Sequence, residues 1–163
     1  PKGLPVRPTT DFAKEGLFNM LRNRIDVEET KVLDLCAGTG NMTFEFASRG
    51  AASVLAVDQH VGCIKFIKKA STELKLENII ALKADIFKFI GKLSQTYDII
   101  FADPPYGLEE TNNLPTTIFE KELLAKDGLL VVEHGRDTSF KKHPNFISTR
   151  AFGNVNFTFF EES

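Results

Sequence analysis

Val32-Leu33-Asp34-Leu35-Cys36-Ala37-Gly38-Thr39-Gly40-Asn41 is an apolar run that breaks into a turn of small residues and restarts as a helix. Val32–Cys36 reads as a buried strand carrying one carboxylate, and Ala37–Asn41 as the turn. Met42–Ser48 reads as a helix, closed by Gly50 at a C-cap position. Strand, glycine turn and helix in that order open a doubly wound α/β sheet, whose ligand crevice lies beyond the carboxyl ends of its strands. Gly38 and Gly40 let a backbone approach a ligand closely. The loop lacks the GK[ST] of a Walker A motif and the third glycine of the dinucleotide fingerprint. Asp34, inside the strand, would repel a phosphate and attract an amine or another cation.

Outward from this unit, strands and helices alternate. Asp11 and Thr10 are candidate caps for a helix carrying Phe12, Leu17, Phe18, Leu21 and Ile25 at near-helical spacing. Ser53–Val57 reads as a second strand ending at Asp58, followed by a helix from about His60 to Leu76. Asn78–Lys83 reads as a third strand, with Asp85 and a short helix to Ile90 after it. Tyr97–Ala102 is a fourth strand ending at Asp103, Asn112–Ala125 is expected to be largely helical, and Gly128–Glu133 is a fifth strand. Phe146–Phe152 and Asn156–Glu161 flank a Gly153–Asn154 turn and read as a hairpin. Nearly all-apolar strands fit a parallel sheet covered on both faces, and the hairpin adds an antiparallel edge. Residues 1–11, with Pro1, Pro5 and Pro8, are expected to form an extended arm on one domain spanning 1–163.

Composition narrows the class. The 163 residues suit one core, and 42% apolar with 26% charged residues is ordinary for a soluble globule. There are fifteen Phe and no Trp, so the aromatic mass belongs mostly to the core. A net charge of −2 is not that of a basic nucleic-acid binder, but Lys65–Lys92 holds seven lysines, enough for a phosphate-binding face if the fold segregates them. Two cysteines, Cys36 and Cys63, make no disulfide framework and no zinc site, so a reducing cytoplasmic compartment is expected. No run approaches the roughly 18 apolar residues of a membrane span. His60, His134 and His143 lack metal spacing.

Asp58, at the tip of the second strand, is placed to accept the hydroxyls of a ribose. Asp85 could receive an adenine amino group with Ile86 against the ring. Together with Asp34 these favour a nucleoside carrying positive charge and no phosphate, and S-adenosylmethionine has an ammonium and a sulfonium. The sharpest motif is Asp103-Pro104-Pro105-Tyr106. Two prolines fix φ and forbid ladder hydrogen bonds, holding a rigid bend at a strand tip. The Asp103 carboxylate and the Pro104 carbonyl can each accept one hydrogen of an aromatic amine, orienting it and supporting the charge that grows as it attacks a methyl group. Tyr106 can stack on the base. No metal is required.

These motifs resemble the Rossmann-like class I methyltransferases, a three-layer α/β fold with a mostly parallel sheet and an antiparallel C-terminal hairpin. More narrowly, Arg7-Pro8-Thr9, Glu15–Leu21, Ser48-Arg49-Gly50-Ala51 and Phe101–Tyr106 are similar to the bacterial family that methylates the exocyclic N2 of one guanine in 16S ribosomal RNA. The resemblance implies that Asp34, Ala37, Gly38 and Gly40 meet the amino-acid end of the cofactor. Asp58 would hold its ribose, and Asp85 and Ile86 its adenine. Asp103, Pro104 and Tyr106 would face the guanine, and Arg7 and Thr9 would lie near cofactor and RNA. It further implies a monomer acting on 16S ribosomal RNA or an assembling small subunit. Pro105 is a candidate neighbour of the base, His134 could shape the substrate entrance, and Arg136, Lys141, Lys142 and Arg150 are candidate phosphate contacts. Alternatives with related chemistry are a DNA adenine or cytosine amino-methyltransferase and a protein glutamine methyltransferase. Outside that chemistry stand a non-catalytic RNA- or protein-binding module and a nicotinamide-dependent oxidoreductase.

Overall fold

A computed structural model describes residues 10–105 and 108–162. Arg7, Thr9 and Tyr106 therefore lie outside the described residues, as does most of the expected arm. The elements run α1 (Asp11–Leu21), β1 (Lys31–Leu35), α2 (Asn41–Ser48), β2 (Ser53–Asp58), α3 (Val61–Glu73), β3 (Ile79–Lys83), α4 (Ile86–Lys92), β4 (Tyr97–Ala102), α5 (Glu109–Asn112), α6 (Leu114–Glu120), β5 (Leu124–His134), β6 (Phe146–Phe152) and β7 (Val155–Phe160). All seven strands join one sheet in the order β3-β2-β1-β4-β5-β7-β6. β1 to β5 pair in parallel, whereas β7 runs antiparallel between β5 and β6. This is the expected α/β architecture, mostly parallel with a C-terminal antiparallel hairpin at one edge.

Strand alternation sends successive side chains to opposite faces. Val32, Val54, Ile99, Phe101 and Val131 go to one face, where Leu17, Phe18 and Leu21 of α1 and Met42 and Phe46 of α2 cover them. Leu33, Val57, Ile100, Ala102 and Val132 go to the other, under Ile86 and Ile90 of α4 and Leu114 and Ile118 of α6. Phenylalanines knit the first face. Phe46 lies 4.9 Å from Phe18 and 6.4 Å from Phe101, which in turn lies 6.2 Å from Phe157. Edge and tilted contacts of this kind add to the roughly 1.5–3 kcal/mol each ring contributes by burial. α1 starts where Thr10 accepts a hydrogen bond from Ala13 N–H at 3.1 Å, the side-chain cap expected at that end.

One expectation is corrected. Asn112–Ala125 is not one helix. Pro115, at the first turn of α6, suits a helix start and not an interior. Glu122, at φ 53°, then ends the chain's helical path, and β5 begins at Leu124. The Leu124–Asp127 stretch is a bulge: Leu124 pairs with Tyr97, and register resumes only at Leu129 opposite Ile99. At the far edge, β3 exposes Ile80 (64%) and Leu82 (40%). Among the described residues, no helix is long and apolar enough to cross a membrane.

Candidate active site

The strand order turns back between β1 and β4, so the chain leaves those two tips in opposite directions and opens a crevice there. A cleft of about 450 Å³ occupies it, a volume suited to a small organic ligand. Cys36 and Gly38 after β1, Asp58 and His60 after β2, Asp85 to Phe87 entering α4, and Asp103 to Pro105 after β4 line its walls. Leu108 and Glu110 close the outer side.

The turn after β1 is tied to the neighbouring tips. Ala37 N–H donates to Val57 C=O at 3.0 Å, and Asp103 N–H to Leu35 C=O at 3.2 Å. Gly38 N–H donates to one Asp58 oxygen and His60 N–H to the other, each at 2.9 Å. Asp58 is thus fixed in rotamer, and each of its oxygens keeps a lone pair for a ligand. His60 sits at the N-cap of α3 without a side-chain capping bond, so the capping role its position suggests falls to the Asp58 side chain, which holds the His60 N–H. Asp85 caps α4 through Oδ1, which accepts from Phe87 N–H at 2.9 Å and Lys88 N–H at 3.1 Å. The bend after β4 is anchored where the Thr111 hydroxyl donates to Pro105 C=O at 2.7 Å.

Other residues singled out from the sequence stand elsewhere. Asp34 is buried beneath the cleft (1% exposed) and accepts a 2.6 Å hydrogen bond from the Thr43 hydroxyl in the first turn of α2. Burial drives its carboxyl up to about 7, opposed by the Thr43 bond and reinforced by Asp58 and Glu133. Gly40, at φ 90°, precedes α2, and a Cβ there would meet Phe44 at 2.8 Å and Ile67 at 3.0 Å, so the position answers to the turn and to packing. His134 is buried, with Nε2 2.6 Å from the Thr158 hydroxyl and Nδ1 2.9 Å from Gly135 C=O. It faces the α4–α6 side, against Phe140 at 5.2 Å, and burial lowers its basicity. Arg136 is exposed and donates to Asn154 at 2.7 Å.

The structure adds one group the sequence reading passed over. Ala102 and Val132 are in register, which sets Asp103 and Glu133 side by side on adjacent tips. Glu133 is 5% exposed, and its carboxyl is hydrogen-bonded to that of Asp103. Burial, then the negative charges of Glu133 and Asp34, hold the Asp103 carboxyl well above its ordinary range. The signal was available: parallel strands of equal parity, one ending Phe-Ala-Asp and the other Val-Val-Glu. The Cys36 thiol, at φ 60° on the cleft wall, is also pushed up by burial and by the surrounding carboxylates, so it stays protonated.

The donor set tests which cofactor could sit here. Asp58, Asp85, Asp103 and Glu110 line the cleft together with apolar Ile86, Phe87 and Leu108, and none of the described lining residues is Lys or Arg. Acceptors for hydroxyls, an amine and positive charge, beside an apolar slot for a flat ring, fit S-adenosylmethionine. They do not fit a diphosphate.

A family model described as conserved hypothetical protein 95 matches residues 1–161. Ribosomal RNA small subunit methyltransferase D of Buchnera aphidicola is 29% identical over 78% of this chain and 65% of its own length. The protein of the same name in Escherichia coli K12 is 32% identical over 78% of this chain and 64% of its own length. The chain therefore matches just under two thirds of the length of these relatives. A solved 16S rRNA N2 methyltransferase of T. thermophilus, in complex with AdoMet and guanosine, superposes with a TM-score of 0.79 at 21% identity. It covers 99% of this chain and 46% of its own, a likeness that bears on the fold.

Proposed function

Because the chain belongs to the conserved hypothetical protein 95 family, we propose that it methylates the exocyclic N2 of a guanine in 16S ribosomal RNA, with S-adenosylmethionine as donor. The observation that carries this reading is a cleft rich in carboxylates, with no Lys or Arg among its described lining residues, flanked by a rigid Asp-Pro-Pro bend. The names of the relatives, small subunit methyltransferases, point to the same class of substrate.

Bound in the cleft, S-adenosylmethionine supplies an electrophilic methyl group on a sulfonium. The chain's own residues do the rest. Asp58 accepts from the ribose hydroxyls through the lone pairs that Gly38 and His60 leave open. Asp85 receives the adenine amino group, and Ile86 and Phe87 press on the ring. Asp34, from beneath, holds the first turn of α2 and the glycine turn before it. Asp103 and the Pro104 carbonyl accept the two N–H hydrogens of the guanine amine and aim its nitrogen at the methyl carbon. Tyr106 stacks on the base, Pro105 borders it, and Arg7, Thr9 and Arg136 meet the RNA. The protein works as a cytoplasmic monomer on RNA or on an assembling small subunit.

Incubation with radiolabelled methyl donor tests this against naked 16S RNA, small subunits lacking native methylation, duplex DNA and protein. Label at a guanine N2 of RNA or subunit is expected, and label confined to DNA or protein overturns the reading. Asp103→Ala should lower transfer by about 10²-fold or more while cofactor affinity stays within about twofold. Asp58→Ala should weaken cofactor binding about tenfold, the loss of a charge-assisted hydrogen bond.

A further inference from the structure

Asp103 reaches the cleft from one side and meets a second buried carboxyl on the other. Strand parity puts Asp34, Asp103 and Glu133 on the face that α1 and α2 cover, near the carboxyl ends of three neighbouring strands, with Asp34 opposite Phe101 inside β1. Asp103 lines the cleft and Glu133 lies behind it. Resting on the methyl-transfer reading above, we propose that Glu133 is the positioning residue of the site, holding Asp103 so that the pair, and not Asp103 alone, receives the proton leaving the amine.

Two carboxyl groups can hydrogen-bond only with a proton between them, so the Asp103–Glu133 pair carries at most one negative charge while the contact lasts. Its surroundings keep it so. Asp34 on β1 adds a like charge, Asp58 lies at the next tip, and the Cys36 thiol stays neutral. A second negative charge in so dry a place is strongly resisted. The shared proton locks the Asp103 rotamer and leaves its outer oxygen toward the cleft. As the amine nitrogen forms its bond to the methyl carbon, the carbon–sulfur bond breaks and its electron pair stays on sulfur. One N–H proton passes to the outer oxygen of Asp103. The pair then holds two protons and no charge, and returns one to water after the product leaves.

The test compares the full chain with Glu133→Gln and Glu133→Ala. The Asp103 carboxyl is followed by carbon-13 NMR without substrate, with Asp103→Asn as the assignment control, and kcat and KM are followed against pH. Glutamine donates an N–H to Asp103 and cannot ionise, so the two proton losses of the pair reduce to one. The raised upper step of the Asp103 signal should therefore vanish, leaving a single titration lower by about one pH unit or more, with KM unchanged. Alanine should lower kcat about 30-fold at unchanged KM, since Asp103 loses its hold. A merely structural glutamate would change the melting temperature and leave the raised step in place. An Asp103 titration at the same pH in wild type and Glu133→Gln overturns the proposal, and the isosteric variant decides even if the alanine variant does not fold. If wild type methylates no substrate, the reaction reading fails, and the NMR titration still decides whether the pair exists.

Discussion

Asp34 shows how a residue can be legible in kind and misplaced in depth. A lone carboxylate in an apolar strand reads as a ligand group, because burying one without a partner is costly. Its partner is Thr43, nine residues on, which only the three-dimensional path of the turn brings back over the strand. Asp58 and Asp103, at strand ends and not inside strands, line the cleft. The depth of Asp34 has a consequence for stability. Its carboxyl sits near 7 in the folded chain against 3.8 as its ordinary value. The unfolded chain therefore loses that proton first, and the folded state becomes less favoured as pH rises from about 4 to 7. Asp34→Asn, which cannot ionise, should come within about 1 kcal/mol of wild type at pH 4 and be more stable by about 3–4 kcal/mol at pH 8. Urea denaturation at the two pH values checks the sign.

At the scale of elements, strands were easier to find than the helices between β4 and β5. β1, β2 and β4 are short apolar runs bounded by charge or glycine, and nothing competes with that pattern. Within Asn112–Ala125 good helix formers dominate only from Ile118 on, Pro115 and the left-handed Glu122 divide the stretch, and tertiary pairing with Tyr97 recruits Leu124 into β5. Side-chain spacing carries no information about that pairing. The turn between β1 and α2 is tightly constrained, with Cys36, Gly38 and Gly40 all at positive φ. Gly40→Ala should cost about 1–3 kcal/mol, from the left-handed backbone and from the clash with Phe44 and Ile67. An unchanged denaturation midpoint would mean that Phe44 swings aside at no cost.

For the whole molecule, a net charge of −2 gives little hint of the RNA partner proposed above. Charge is segregated instead: acids gather under and around the cleft, while Lys65, Lys68, Lys69, Lys83, Lys88 and Lys92 are exposed on α3, β3 and α4 and Lys75 in the turn after α3. An RNA lying across such cations binds by releasing counterions, so its affinity falls linearly in log–log form with salt. Arg136→Ala should weaken binding and reduce that slope by about one unit, measured by filter binding between about 50 and 200 mM salt. A slope that does not change removes Arg136 from the phosphate contacts.

The outermost parallel strand has a bearing on handling. Among the described residues, β3 pairs with β2 along one side only. Its other side offers amide and carbonyl groups to any stray extended segment, next to the bare side chains of Ile80 and Leu82. Lys83 at its tip repels a second copy while salt is low. Concentrated stocks in strong salt lose that repulsion, so self-association should begin at this border of the sheet.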